Sequence, residues 1–400
     1  MIIGTPQKKT EFFMFMSSEK ALLAAILIAG TVLYWYGTWF GLNMTNDSFD
    51  YLQSASFLSQ GKWHALAGSG QFTSWPPLFG VLIFLWSMKL GINPVFMQFI
   101  IMICNFFLLL EIGKRVLPGP VARIIWFAAS FTSVGFIMIH VFLWSEPLFL
   151  AIQLSLIIVV DNFISTKKLN WLLLSILFSV LLCLQRNAGI FIIAAIALTV
   201  FLSMPGRRGL ISAILLFLAG IFTFSGWNLI VSIPGTGPFV FLKHEYFSGF
   251  LLNIWNYIDV VSAWFLPRKS GIFIRLFFVF LLSIWILLSR RKEISILHKD
   301  YSLTRLICII IVFYIIGMSS IGRIDPWETE RYLSIIYPFI LLVIIVLALK
   351  NTDLTHKSFT RLIIIAFLGM WILYIEVRST INVVNWHERS KTTHTWISNP

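Results

Sequence analysis

Apolar stretches of roughly 20 residues recur along the chain and are separated by short polar segments. A stretch of that length can cross the hydrocarbon core of a membrane as a helix, which satisfies its own backbone hydrogen bonds where water is absent. The pattern therefore predicts an all-α fold, a polytopic transmembrane helical bundle of about eleven spans. The predicted spans are 21–42, 94–113, 121–142, 147–163, 171–186, 189–204, 209–231, 271–289, 303–321, 332–349 and 359–375.

Composition supports a membrane protein over a soluble one. Hydrophobic residues make up 58% of the 400 residues and charged residues 12%, a balance that no soluble core requires. The net charge of +13 raises the question of nucleic-acid binding, but the basic residues lie in short clusters between apolar runs. That distribution indicates contact with lipid headgroups, so we expect membrane lipids and no nucleic acid as partners. No internal repeat is visible, and 1–400 is predicted to form one domain.

The side of the membrane on which each loop lies follows from the basic clusters and from one ambiguous apolar stretch. Stretch 77–90 is short and begins next to a double proline. If it does not cross, all later basic clusters share the cytoplasmic side with Lys8 and Lys9, as the positive-inside rule requires. We therefore predict an interfacial helix there. The expected location of the chain is a bacterial or archaeal plasma membrane. The outer segments are then 43–93, 232–270, 322–331 and the carboxyl-terminal tail 376–400.

Segment 46–63 is predicted to form an amphipathic helix at the outer interface. One face carries Tyr51, Ala55 and Leu58 at helical spacing. Two interpretations of the acids at its start remain open. They can cap the helix and interact favourably with the positive end of its dipole. Alternatively, one of them can act as the general base for a hydroxyl acceptor. The candidate caps are Asn46, Asp47 and Ser48, and the candidate bases are Asp47 and Asp50.

An acid one helical turn before a tyrosine, followed by an alanine, a glycine and Pro-Pro-Leu, resembles the membrane-embedded GT-C glycosyltransferases. That class includes protein O-mannosyltransferases and aminoarabinose transferases. Two later elements are similar to the same class, one at the outer start of a span and one at the entry to a late helix. The matching residues are Asp47, Tyr51, Ala55, Gly61 and Pro76-Pro77-Leu78, then Ser145-Glu146-Pro147-Leu148-Phe149, and Arg331-Tyr332 with Pro338 beyond.

The resemblance implies an inverting transfer of a sugar from a polyprenyl-phosphate donor to a hydroxyl acceptor on the extracytoplasmic face, without a cofactor or metal. Many members have two adjacent acids where this chain has Asn46-Asp47, so Asp47 is the first candidate for the base and Asp50 the alternative. Glu146 is the candidate for orienting a substrate hydroxyl. Arg331 is favoured for the leaving phosphate, because its planar fork of donors matches phosphate. The remaining substrate-binding candidates are Tyr51, Arg186, Lys243, His244, Tyr332 and, as a further cation, Lys269.

Each candidate also has a structural interpretation. Arg331 can form a surface ion pair with Glu328 or Glu330. Arg186 can extend its charged end to the membrane surface from a helix end. Glu146 can be an acid at a helix start that is stabilised by the helix dipole. His140 is predicted to be a packed or interfacial histidine, and the tryptophans near span ends, including Trp144, to belong mostly to an interfacial belt.

Two rival functions remain open at this stage. A transporter or flippase of a lipid-linked solute predicts broken helices and ionisable residues near the bilayer midplane, whereas the acids of this chain cluster in the outer segments, which counts against it. A polysaccharide polymerase or ligase shares the many spans and the large outer loop, but uses a diphosphate-linked donor. The sequence has no Gly-rich phosphate loop, nucleophile elbow or His-Glu metal motif, so the donor is expected to arrive through the lipid.

Overall fold

The computed structural model describes residues 6–62, 76–117, 119–231, 246–289, 302–320, 324, 326–349 and 359–398. Within these ranges the regular structure is helical, and the only strand-like pairing is an isolated bridge between Asn43 and Phe142. The all-α prediction is therefore confirmed for the described part of the chain.

Besides a π-helical turn at Phe84–Lys89 and a 3-10 turn at Arg268–Ser270, the described residues form sixteen α-helices. They are α1 (Pro6–Gly37), α2 (Asn46–Ser59), α3 (Leu78–Ile83), α4 (Pro94–Val116), α5 (Pro120–Phe131), α6 (Val134–Val141), α7 (Glu146–Thr166), α8 (Leu169–Gln185), α9 (Gly189–Ser203), α10 (Arg207–Val231), α11 (Tyr246–Ala263), α12 (Ile272–Ser289), α13 (Ser302–Ser319), α14 (Pro326–Ser334), α15 (Tyr337–Leu349) and α16 (Phe359–Ser398).

Several of these helices are long and apolar enough to cross a membrane, which indicates a multi-pass membrane protein. Five such spans lie in the described residues, in α1, α4, α7, α10 and α16, and two bent helix pairs raise the number to as many as seven. The predicted stretches 171–186, 189–204 and 303–321 correspond to the shorter apolar helices α8, α9 and α13.

Two predicted spans are broken into two helices each. The stretch 121–142 contains α5 and α6, which bend by 46°, and 332–349 contains the end of α14 and all of α15, which bend by 61°. At the first break the hydroxyl of Thr132 donates to the carbonyl of Ala128 (2.7 Å), and the Ser133 hydroxyl accepts from the Phe136 amide (3.1 Å). The Ser133 side chain thus accepts from a backbone amide at the start of α6, whereas the Thr132 hydroxyl adds to the backbone bond from the Thr132 amide to the same Ala128 carbonyl (3.3 Å). Near the second break, Pro338 has no amide hydrogen to donate.

The carboxyl-terminal segment does not form a separate tail. The sequence predicts a span that ends at residue 375, whereas α16 continues to Ser398. The physical reason is that no glycine or proline interrupts 370–399. The far part of α16 packs on the end of α1, where the His387 ring stacks on Tyr36 at 4.3 Å. Arg389 also contacts the carbonyl oxygen of Met44 at 3.3 Å, so α16 supports the chain just before α2.

Helix α2 begins one residue earlier than the cap candidates predict. Thr45 is the N-cap, and its amide donates to the Ser48 hydroxyl at 3.0 Å. Asp47 is therefore not the capping residue. The predicted apolar face of Tyr51, Ala55 and Leu58 is buried, and it packs towards α3, where the Tyr51 and Phe79 rings meet edge to face at 4.9 Å.

Close packing between α6 and α14 supplies a test of the fold. A β-carbon added to Gly135 would lie 2.6 Å from the Ser334 hydroxyl oxygen and 3.6 Å from its Cα. We expect Gly135→Ala to lower the free energy of unfolding by about 1–3 kcal/mol, because the two helices must separate. Thermal unfolding in detergent measures the change. The matched control is Gly226→Ala in α10, where a β-carbon meets nothing within 4 Å, and an equal loss in both variants would contradict the prediction.

Candidate functional site

Four charged side chains from distant parts of the sequence meet at one place, and we call them the buried ion-pair cluster: Asp47, Glu146, Arg186 and Arg331. Their side chains are 15%, 0%, 6% and 1% exposed, respectively. Charges removed from water are stable only when they are paired and hydrogen bonded. The four side chains therefore stabilise one another in the interior, and Asp47 is the most accessible of them.

Arg331 lies at the centre of the cluster. Its Nη1 is 2.5 Å from Asp47 Oδ2, and its Nε donates to Glu146 Oε1. The same Glu146 oxygen is 2.5 Å from Arg186 Nη1, so one carboxylate oxygen joins two guanidinium groups. A third carboxylate approaches more loosely, with Glu328 Oε1 3.6 Å from Arg331 Nη1.

Local structure explains why these residues meet. Asp47 and Glu146 lie in the first turns of α2 and α7, where unpaired backbone amides favour a carboxylate. Pro147 follows Glu146 in the first turn of α7, a position where a missing amide hydrogen costs nothing. Arg186 comes immediately after α8, and Arg331 lies on α14. The cluster thus forms where two helix starts, a helix end and α14 come together.

Ser145 connects three parts of the site. Its hydroxyl is 2.8 Å from the Tyr51 hydroxyl and accepts from Arg186 Nη1 at 3.0 Å. Its carbonyl oxygen accepts from Gln185 Nε2 at 2.8 Å. Burial raises the pKa of Tyr51 above its ordinary value, so this tyrosine remains protonated at neutral pH. Ser145 thereby fixes α2 and the end of α8 against the start of α7.

Aromatic rings cover Arg331. Its guanidinium carbon is 4.3 Å from the centre of the Trp144 ring and 5.6 Å from that of Tyr332. The Trp144 indole donates to the Thr45 hydroxyl at 2.7 Å. Trp144 is 3% exposed, so its assignment to an interfacial belt is wrong: the ring packs on a buried cation and orients it.

Four buried polar atoms of the cluster have no hydrogen-bond partner among the residues that the structure describes: Nη1 and Nη2 of Arg331, Oδ2 of Asp47 and Oε2 of Glu146. Nη1 and Oδ2 form an ion pair with each other at 2.5 Å, which leaves Nη2 and Oε2 with neither kind of partner. A buried charged group ordinarily uses its hydrogen-bonding capacity, so each atom calls for a ligand or a water molecule. One is a donor and the other an acceptor, which suits a ligand with an anionic oxygen and a hydroxyl.

The hydroxyl of Tyr51 supplies a moderate test of this arrangement. We expect Tyr51→Phe to lower the free energy of unfolding by about 0.5–1.5 kcal/mol, because the bond to Ser145 is lost while the ring remains packed. Chemical denaturation in detergent measures the difference. Tyr36→Phe, at a tyrosine that is 43% exposed, is the control. A smaller loss at Tyr51 than at Tyr36 would show that the buried hydroxyl contributes nothing.

The remaining candidates lie in different places. Asp50 is half-buried on α2, three residues after Asp47, and Tyr332 follows Arg331 beside the cluster. Lys269 is exposed in its 3-10 turn and is not brought to the cluster. Lys243 and His244 lie outside the described residues.

Arg331 does pair with Glu328, at 3.6 Å, but the surface location predicted for this pair is wrong, because the Arg331 side chain is buried. Glu330, the residue before it, points to another partner instead. Its Oε1 is 2.5 Å from Arg378 Nη2, and its Oε2 is 3.8 Å from Arg268 Nη2. Successive residues of α14 therefore join two different charge networks.

His140 is a packed histidine, as predicted. Its side chain is fully buried, Nδ1 donates to the Phe136 carbonyl at 2.7 Å, and Nε2 is 3.1 Å from Asn105 Nδ2. Within the described ranges, no group of three or more histidine, cysteine or acidic side chains is arranged to hold a metal ion.

Buried amide side chains near the cluster were not singled out from the sequence. Gln98 Nε2 donates to the Trp144 carbonyl at 2.9 Å, and Asn105 Nδ2 donates to the Pro147 carbonyl at 2.9 Å. They hold the backbone on both sides of Glu146. The available signal was spacing: Gln98 and Asn105 are seven residues apart in one apolar run, as are Glu146 and Gln153 in another, so each pair shares a helix face.

Comparison with known proteins found no family model that matches this chain and no significant match to a curated protein.

Proposed function

We propose that the protein is a membrane-embedded glycosyltransferase of the GT-C kind, which transfers a sugar from a polyprenyl-phosphate donor to a hydroxyl acceptor on the extracytoplasmic face. The observation that supports this proposal is the pairing of Asp47 with Arg331 at 2.5 Å. It places an accessible carboxylate beside a guanidinium group, the two groups that proton removal and phosphate departure require.

The proposal includes about eleven spans, with the amino terminus in the cytoplasm and with α2 and α3 at the outer interface. Contacts between helix ends support a common side for the basic connections. Arg123 pairs with Glu19 at 2.8 Å, joining the start of α5 to the start of the apolar part of α1. Arg115 pairs with Asp161 at 2.7 Å, near the end of α7 that is opposite Glu146. The cluster and Arg115 therefore lie at opposite ends of α7.

The proposed reaction is a single displacement. Asp47 takes the proton from the acceptor hydroxyl, and the acceptor oxygen forms a bond to the anomeric carbon. The bond from that carbon to the phosphate oxygen breaks, and its electron pair leaves with the phosphate. Arg331 and Arg186 stabilise the negative charge that develops there. Attack from the face opposite the phosphate inverts the configuration of the anomeric carbon, and Oε2 of Glu146 accepts a hydrogen bond from a substrate hydroxyl.

The experiment that tests the proposal supplies labelled sugars on defined carriers to the protein in lipid nanodiscs. We expect a covalent product from a polyprenyl-monophosphate sugar and none from a nucleotide sugar. A product from a polyprenyl-diphosphate oligosaccharide alone would assign the protein to the polymerases or ligases. The absence of a product from all donors, tested with a set of lipid, glycan and peptide acceptors, would remove the transferase proposal.

A transporter or flippase of a lipid-linked solute is the second candidate, because polar side chains lie deep among the apolar helices. Gln153, Asn105 and His140 are fully buried, and both polar atoms of the Gln153 side chain lack hydrogen-bond partners among the described residues. Such groups are features of polar pathways through membranes. Movement of a labelled lipid-linked sugar across proteoliposomes without a covalent product would favour this function.

A further inference from the structure

The charges around Arg331 are unfavourable for binding another anion. Two arginines, Arg186 and Arg331, face three carboxylates, those of Asp47, Glu146 and Glu328. With all five groups ionised, their formal charge is −1, whereas a bound phosphodiester would add a further negative charge. A phosphate that enters this site must therefore take the place of one carboxylate on Arg331.

Geometry distinguishes the carboxylate that can leave. Glu146 is fully buried, and one of its oxygens contacts both arginines, so its removal would break the whole cluster. Glu328 is already 3.6 Å away from Arg331 Nη1. Asp47 is the close partner that is partly exposed, and it contacts Nη1 alone through Oδ2.

The atoms of Arg331 also indicate that Asp47 is the carboxylate that a phosphate would displace. Phosphate binds an arginine most favourably through two parallel hydrogen bonds. Nη1 and Nη2 both lack a hydrogen-bond partner among the described residues, but the Asp47 carboxylate lies 2.5 Å from Nη1 as its ion-pair partner. A phosphate bound at two points to the Nη1 and Nη2 edge would place its negative charge against that carboxylate, so Asp47 has to move.

We infer that Asp47 occupies the place of the donor phosphate on Arg331 until the donor binds, and that donor binding then releases the Asp47 carboxylate to act as the base. This inference rests on the proposed function and adds the order in which its steps occur. The acceptor proton passes to Asp47 only after the phosphate has taken Arg331. While Asp47 Oδ2 is held against Arg331 Nη1, that oxygen is engaged by the guanidinium rather than by the acceptor hydroxyl, so the acceptor is activated only in the presence of the donor.

Binding of farnesyl phosphate to the protein in nanodiscs tests the exchange without any sugar transfer. We expect Asp47→Asn and Asp47→Ser to bind farnesyl phosphate about tenfold more tightly than the wild type, because the competing carboxylate is gone. Farnesol, which has the same chain without phosphate, should bind all proteins equally. Glu330→Gln is the matched control: it also removes an acid beside Arg331 in the sequence, but one that pairs with Arg378, and it should leave the affinity unchanged.

Two variants at Asp47 are compared because the test needs only one of them to fold. Thermal unfolding shows which of them are folded. If the wild type binds farnesyl phosphate and the folded Asp47 variants bind it equally or more weakly, the exchange is wrong and the proposed function stands. A parallel gain for farnesol, or an equal gain in Glu330→Gln, would also overturn the exchange. If the wild type and the Asp47 variants all fail to bind farnesyl phosphate, the phosphate site of the proposed function fails with it.

Discussion

Asp47→Asn is expected to reduce transfer from a polyprenyl-phosphate sugar by about 10²- to 10⁴-fold, the usual contribution of a general base. Asparagine keeps the size of the side chain but accepts no proton from the acceptor hydroxyl. Asp47 is 15% exposed, so its neutral replacement leaves the fully buried pair of Glu146 with Arg331 in place. The rate of product formation at saturating donor, measured in nanodiscs, gives the size of the loss.

Asp50→Asn is the matched comparison, since it changes the same residue type one turn later on α2. We expect it to retain most of the transfer rate, because Asp47 is the acid that contacts Arg331. If Asp50→Asn loses the activity and Asp47→Asn retains it, Asp50 is the base. Retention of the full rate by both variants would exclude either acid from proton removal.

Arg331→Met is expected to lower the free energy of unfolding by about 3–5 kcal/mol, the typical effect of breaking a buried ion pair. Methionine fills much of the same space, but it leaves the carboxylate of Asp47 without its close cation and Glu146 with Arg186 alone. The loss of the cation–π contact with Trp144 adds to the effect. Chemical denaturation in detergent measures the difference from the wild type.

Arg115→Met is the matched control for that stability loss. Arg115 also contacts two acids, Glu111 and Asp161, but its side chain is 26% exposed. Ion pairs in contact with water contribute about 0–1 kcal/mol, so the control should remain close to the wild type. If Arg331→Met is no less stable than Arg115→Met, the cluster does not stabilise the fold.

The apolar runs predicted much of the helical framework, because a long hydrophobic segment has few alternatives in lipid. The breaks within two of the runs were not predicted. A hydroxyl side chain such as that of Ser133 is tolerated inside many helices, and only the surrounding packing decides whether it replaces a backbone hydrogen bond. The length of α16 was underestimated for a related reason: polarity ended the predicted span at 375, but polarity alone does not end a helix.

The candidate residues of the site were identifiable from the sequence, but their contacts were not. Asp47 and Arg331 are far apart in the chain, and no local pattern specifies that they meet at 2.5 Å. Similarly, Glu330 and Arg331 are adjacent acid and base, and the sequence favours neither for the interior. The structure distinguishes them through the orientation of α14. Trp144 was misassigned because a tryptophan near the end of a span looks the same whether it faces lipid or a buried guanidinium.

The two charge networks on α14 have a mechanical consequence. Neighbouring residues on an α-helix point about 100° apart, so Arg331 and Glu330 hold this short helix from two directions. Turning α14 about its own axis would pull one of these side chains away from its partner. The contact of Glu330 with Arg378 on α16 and the packing of Arg331 on Trp144 thereby resist rotation of α14 about its axis from two sides.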